Sequence, residues 1–209
     1  MSAANIKGTK PGATHVTGPG GLSAGDFARW YRDRELEFWK TLDLAAVERL
    51  ANEVERCERD GRTIWVMGNG GSASTASHLA TDLSKTAYVK GRKRIKCISL
   101  NDNAAYMTAV GNDHHFDEVF SHQLEGLAEK DDLVILITGS GNSPNVLAAA
   151  AAAKKKGAVV AALLGFEGGA CKKAVDFHIL VPSDQYGVIE DAHMAVGHVV
   201  AFWLKQRKI

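Results

Sequence analysis

The chain has 209 residues, 45% of them hydrophobic and 23% charged, with a formal net charge of +1. These are globular averages on a length that suits one core, so they exclude a chain disordered throughout or embedded in a membrane, and they leave no overall basic field for nucleic acid or an acidic bilayer surface. Three cysteines, Cys57, Cys97 and Cys171, are odd in number and lack paired metal-type spacing, which argues against a disulfide framework and predicts a reducing, cytoplasmic setting.

Residues 1–23 are dense in Gly, Ser, Thr and Pro without an apolar period and are expected to form a flexible arm, with a single domain over 24–209. The arm lacks the charged-then-apolar layout of a secretory signal, and no apolar run in the chain approaches the ~20 residues of a bilayer span. From Asp26 to Asp60, apolar residues recur at helical spacing with a break near Thr41 to Asp43, so two helices are expected, the second ended by Gly61. Beyond Gly61, five short β-rich runs follow: TIWVMG, IKCISL, LVILITG, AVVAALLG and FHILVP. They are apolar at both alternate positions, as parallel strands covered by helices on two faces must be. Helical stretches at 72–87, 104–127, 143–156 and 186–206 alternate with them. This alternation predicts a three-layer α/β sandwich around a doubly wound parallel sheet of about five strands, with N-terminal helices added. The basic run Arg92, Lys93, Arg94 and Lys96 precedes an apolar segment and is expected to be a solvated strand entrance.

Open parallel sheets bind ligands at the carboxyl ends of their strands. Two such ends look alike, VMGNGGSAS at 66–74 and ITGSGNSPN at 137–145. Glycine lets the backbone approach a ligand, hydroxyls donate hydrogen bonds, and a new helix presents unpaired N–H groups, so each end can cradle an anion without a basic side chain. Each is also compatible with a capping turn that binds nothing; in the second, Ser143 stands at an N-cap position and Pro144 at the first helical one. Neither has the Gly-Lys-Ser/Thr of a P-loop or dinucleotide spacing, so no nucleotide cofactor is expected. Two such loops in one small sheet favour a phosphorylated ligand.

GNGGSASTASH, AVGNDHHFDEVF, TGSGNSPNV and YGVIEDAHMAVGH, in that order, resemble the sugar isomerase (SIS) domain family, whose fold is flavodoxin-like, and within it the phosphoheptose isomerases. The resemblance implies aldose–ketose isomerisation of a sugar phosphate, sedoheptulose 7-phosphate in that group. It assigns Thr138, Ser140 and Ser143 to the phosphate, with Gly139 standing where the isomerases usually show a hydroxyl residue. Asn69, Gly70 and Gly71 would line the sugar end, with Ser72 opening the next helix.

His78 and Asp82 are four apart and share a helix face, roughly 6 Å apart in rise. By spacing alone they form either a local hydrogen bond or a converging pair. By resemblance Asp82 stands at the position of a catalytic glutamate, one methylene shorter, and His198 is the second acid/base residue. Glu190 replaces a glutamine that contacts substrate or metal, and His193 is expected to be a packing or interface histidine. Some members of the family hold zinc at the positions of His78, Asp82, Glu190 and His198, so zinc is the cofactor that the resemblance allows. Glu190 and His198 are separated by roughly 12 Å along one helix and about 80° around it, so either both side chains lean inward or helices from neighbouring subunits share each site, as in the family's tetramers with interfacial active sites. Asp102 or Asn103 is expected to hold a sugar hydroxyl, or else to form an Asx turn into the next helix. The superfamily also contains non-catalytic members, such as a tetrameric protein that assists a replication initiator and phosphosugar-sensing domains, and these form the alternative reading.

Overall fold

The computed structural model describes residues 18–207, so most of the expected N-terminal arm lies outside the described residues. Helix α1 (Ala24–Thr41) starts at Ser23, whose hydroxyl accepts from the Asp26 N–H at 3.1 Å, and α2 (Leu44–Asp60) starts at Asp43, whose carboxylate accepts from the N–H groups of Ala45 and Ala46. The expected break between them is therefore the N-cap of the second helix. Gly61 closes α2 in the left-handed region at φ 71°.

Five parallel strands follow: β1 (Thr63–Gly68), β2 (Lys96–Ser99), β3 (Leu133–Thr138), β4 (Val159–Gly165) and β5 (Phe177–Val181), in the spatial order β2-β1-β3-β4-β5. The chain moves outward from β1 to β2 and then crosses back to β3, so β1 and β3 are neighbours whose connections leave in opposite directions. That reversal opens a crevice at their carboxyl ends, and both glycine-rich loops begin there.

On β1, Ile64 and Val66 face one layer and Trp65 and Met67 the other. The first layer contains α2, α3 (Gly71–Thr81) and α8 (Tyr186–Gln206), with α1 packed on α8. The second contains α4 (Ala104–Asp113), α5 (Ser121–Leu127), α6 (Pro144–Lys155) and α7 (Cys171–Ala174). Strands β1, β3 and β4 are buried on both faces as their composition requires, but β2 is an edge strand, and Ile98 on it is 47% exposed.

Two helical expectations are corrected. The stretch 104–127 is not continuous, because Gly111, Asn112 and Asp113 are poor helix formers and the chain turns at His114, passes through a short 3-10 turn at Phe116–Glu118 and restarts as α5. The stretch 72–87 is α-helical only to Thr81 and then widens into a π-helical turn over Asp82–Thr86, closed by the Ala87 N–H on the Asp82 carbonyl at 2.8 Å. The basic run is also not merely solvated. Arg92 is buried in an ion pair with Glu58, Lys93 donates to the Arg59 carbonyl, and Arg94 lies 4.0 Å over the Tyr88 ring.

Candidate active site

The second loop is a set of hydroxyls already oriented by the backbone. The Gly141 N–H donates to Thr138 Oγ1 and the Asn142 N–H to Ser140 Oγ, each at 3.2 Å. With each oxygen engaged as an acceptor, each hydroxyl retains its O–H as a donor, Ser140 at the surface and Thr138 buried beneath it. Ser143 takes the N-cap position of α6, with Pro144 after it, yet its side chain makes no capping bond, so its hydroxyl is also available. Gly139 carries no side chain because Tyr186 occupies that space: a methyl at Gly139 would lie 2.9 Å from the Tyr186 ring.

The first loop is joined to the second by an amide pair. Asn69 and Asn145 exchange two hydrogen bonds of 2.9 Å, placing the start of α6 against the turn before α3. Gly70 makes that turn at φ 58°, and Ser72 is buried behind it. Gly71 is covered by Glu190, whose carboxylate would overlap any side chain placed there. A carboxylate at the first turn of α3 lies at the positive end of the helix dipole, so the chain's own acid covers the first loop at Gly71.

Farther along α3, His78, Asp82 and His198 converge. Asp82 Oδ2 lies 3.2 Å from His78 Nε2 and 3.5 Å from His198 Nε2, and the two imidazole nitrogens are 3.0 Å apart. The Asp82 side chain is 13% exposed, while the histidines are nearly half open to solvent. Around a tetrahedral zinc with bonds of ~2.0–2.1 Å, ligand atoms are separated by about 3.3 Å, so this triangle of two imidazoles and a carboxylate suits that ion. Among the described residues these three form the group able to hold a metal. The expectation that Glu190 joins these ligands is corrected within this chain: its carboxylate faces Gly71, seven residues and about 10 Å before His78 along α3.

The remaining expected residues have local roles. Asn103 caps α4, its Oδ1 accepting from the Tyr106 N–H at 3.1 Å, which is the Asx alternative. Asp102 accepts from the Ser77 hydroxyl at 2.5 Å on the exposed side of α3. His193 is 1% exposed, a packing residue. Asn101 escaped the sequence reading: it clamps Gly68, accepting from its N–H at 3.1 Å and donating to its carbonyl at 2.9 Å. Its only signal was an amide directly after a strand. Tyr31 was also missed; its hydroxyl donates to Asp191 at 2.6 Å and ties α1 to α8 beside Glu190.

The SIS domain family model matches residues 31–165. Over 151 residues the chain is 38% identical to the phosphoheptose isomerase of Pelobacter propionicus, covering 72% of this chain and 79% of that one. The chain belongs to the phosphoheptose isomerase group of the SIS domain family. The Helicobacter pylori phosphoheptose isomerase is 42% identical over 147 residues, 70% of this chain and 76% of the relative. The solved phosphoheptose isomerase from Francisella tularensis superposes with a TM-score of 0.82 at 29% identity, spanning 89% of this chain and all of that one. As a member of this family the chain has its loops and its His/Asp group within the expected three-layer fold, and no helix among the described residues is long and apolar enough to cross a membrane.

Proposed function

We infer that this SIS domain interconverts the ketose and aldose forms of a seven-carbon sugar phosphate, sedoheptulose 7-phosphate and D-glycero-D-manno-heptose 7-phosphate, in heptose biosynthesis. The observation that carries this reading is the pairing, in one chain of the phosphoheptose isomerase family, of a cation-free hydroxyl cradle with a converging His78, Asp82 and His198. Isomerisation through an enediol needs an anchor, a base near the proton-bearing carbon and an acid that serves two oxygens.

Thr138, Ser140 and Ser143 seat the phosphate, while Asn69 and the backbone of Gly70 meet sugar hydroxyls. Asp82 takes the proton. Both imidazoles address its Oδ2, which leaves Oδ1 for the substrate carbon. His198 moves protons between the two substrate oxygens. When bound, zinc would be held by His78, Asp82 and His198 and would supply Lewis-acid polarisation of a carbonyl oxygen in place of proton transfer by His198. The exposed Val199 and Phe202 beside His198, 42% and 54% open, support a homo-oligomer, proposed as a tetramer with active sites between subunits.

The test is incubation with sedoheptulose 7-phosphate in D2O followed by NMR. Appearance of the aldose with deuterium at the carbon next to its carbonyl is expected; no exchange and no product, with and without added zinc, would refute the reading and favour a sensor or scaffold. Asp82→Asn should lower kcat by about 100-fold or more, and an unchanged rate would place the base elsewhere.

A further inference from the structure

The cradle is walled by an aromatic ring from α8, and the fit between that ring and the loop is specific. Gly139 is the one position of the Thr138–Ser140 turn without a side chain, and a Cβ there would meet Tyr186 Cε1 at 2.9 Å and Cδ1 at 3.2 Å. Tyr186 also makes an edge contact with Phe166, with centroids 5.0 Å apart at 71°. Phe166 is held at φ 49°, a left-handed conformation uncommon for a bulky residue, and its N–H donates to the Ser183 carbonyl at 3.2 Å. The Gly139 carbonyl is fixed in turn by the Gly165 N–H at 3.0 Å. The ring is thus clamped between the end of β4 and the cradle.

We propose that Tyr186 is a positioning residue for the substrate's phosphate: its ring fills the space vacated at Gly139 and holds the Thr138–Gly141 turn so that the Ser140 and Ser143 hydroxyls converge on one phosphomonoester. The proposal rests on the cradle being the phosphate seat. Residues 139 and 186 share one volume, which a ring from the helix or a side chain from the loop can fill, but not both. A core contact with no bearing on the anion would change stability alone, whereas this one changes phosphate affinity.

The experiment is a double-mutant cycle read by KM, kcat and the rise in melting temperature with inorganic phosphate. Tyr186→Ala should raise KM for sedoheptulose 7-phosphate by about 10-fold with kcat altered less than about threefold, the pattern of lost ground-state binding. Gly139→Ser in the parent background should raise KM at least as much, because the serine collides with the ring. Combining the two should return KM to within about threefold of the parent, since the serine then occupies the emptied space. Tyr186→Phe, which keeps the ring, should recover most of the loss seen with alanine. Additive KM effects in the double variant, or a Tyr186→Ala change confined to kcat, would overturn the proposal. The phosphate melts separate this outcome from the isomerase reading. If the parent turns nothing over but phosphate stabilises it, and that stabilisation is lost in each single variant and regained in the double, the proposal stands and the isomerase reading falls. If phosphate stabilises none of the four proteins, the proposal falls.

Discussion

His193 makes the seating of α8 dependent on pH, and α8 carries Tyr186, Glu190 and His198. The ring is 1% exposed, and burial, the largest effect, pushes its pKa down to about 4 against an opposing contribution from the Leu164 backbone. The unfolded chain binds this proton near pH ~6.5 and the folded chain only near 4, so between those values the unfolded state holds more protons and stability rises with rising pH. The contribution is fully present above pH ~6.5 and is lost as pH drops to about 4; at ~1.4 kcal/mol per pH unit the loss is about 3 kcal/mol. The perturbation is His193→Leu, of similar size and without a titrating group. Urea unfolding of both proteins at half-unit steps from pH 7.5 to 4 gives the difference in stability. That difference should be constant above pH ~6.5 and then shift by about 3 kcal/mol in favour of the leucine variant as pH falls to 4. A difference that stays flat through this window would show that the histidine is solvated or protonated in the fold, and would refute the reasoning.

Ser143→Ala should raise KM for the sugar phosphate by about 10-fold at nearly constant kcat, because it removes a ground-state donor. The same change should cost less than about 0.5 kcal/mol in urea unfolding, since Ser143 makes no side-chain capping bond that alanine would forfeit, and a loss of 1–2 kcal/mol would mean that its hydroxyl serves α6 instead. Glu58→Ala should destabilise by about 3–5 kcal/mol by leaving Arg92 buried without its partner, both side chains of the pair being 9% exposed; a change under about 1 kcal/mol would show that water reaches the pair.

What the sequence made legible was local. The break before α2 is an aspartate cap, the end of α2 a left-handed glycine, and the strands β1, β3 and β4 are continuous apolar runs; each depends on residues within a turn of one another. A spacing of four put His78 and Asp82 on one helix face but left a local hydrogen bond and a converging pair both open, and a spacing of eight on α8 left open whether Glu190 joins the group, which it does not. What stayed hidden depends on residues far apart in the chain. The Asn69–Asn145 amide pair spans 76 positions, the Asn101 clamp on Gly68 spans 33, and the Glu58–Arg92 pair spans 34. No periodicity or composition encodes such partners, because each is a product of the order in which the strands assemble. The exposed Ile98 is of the same kind: β2 reads as a buried strand, and only the spatial order makes it an edge.

Glycine was the most ambiguous letter. The glycines of the two loops suggest close approach of a ligand, yet two of them admit a side chain of α8: Gly139 admits Tyr186 and Gly71 admits Glu190. Beyond the loops, Gly165 receives Ile189 of the same helix, and Gly197 on α8 itself lets Leu79 approach. Glycine-rich strand ends can therefore be demanded by helix packing as much as by a phosphate, and the two demands differ in what remains after packing. Around Gly71 the packing brings a carboxylate of the chain's own to the start of α3. Around Gly139 it brings an aromatic ring beside Thr138 and Ser140, whose oxygens already accept backbone N–H groups, and the proposal that these hydroxyls meet a phosphate depends on that difference.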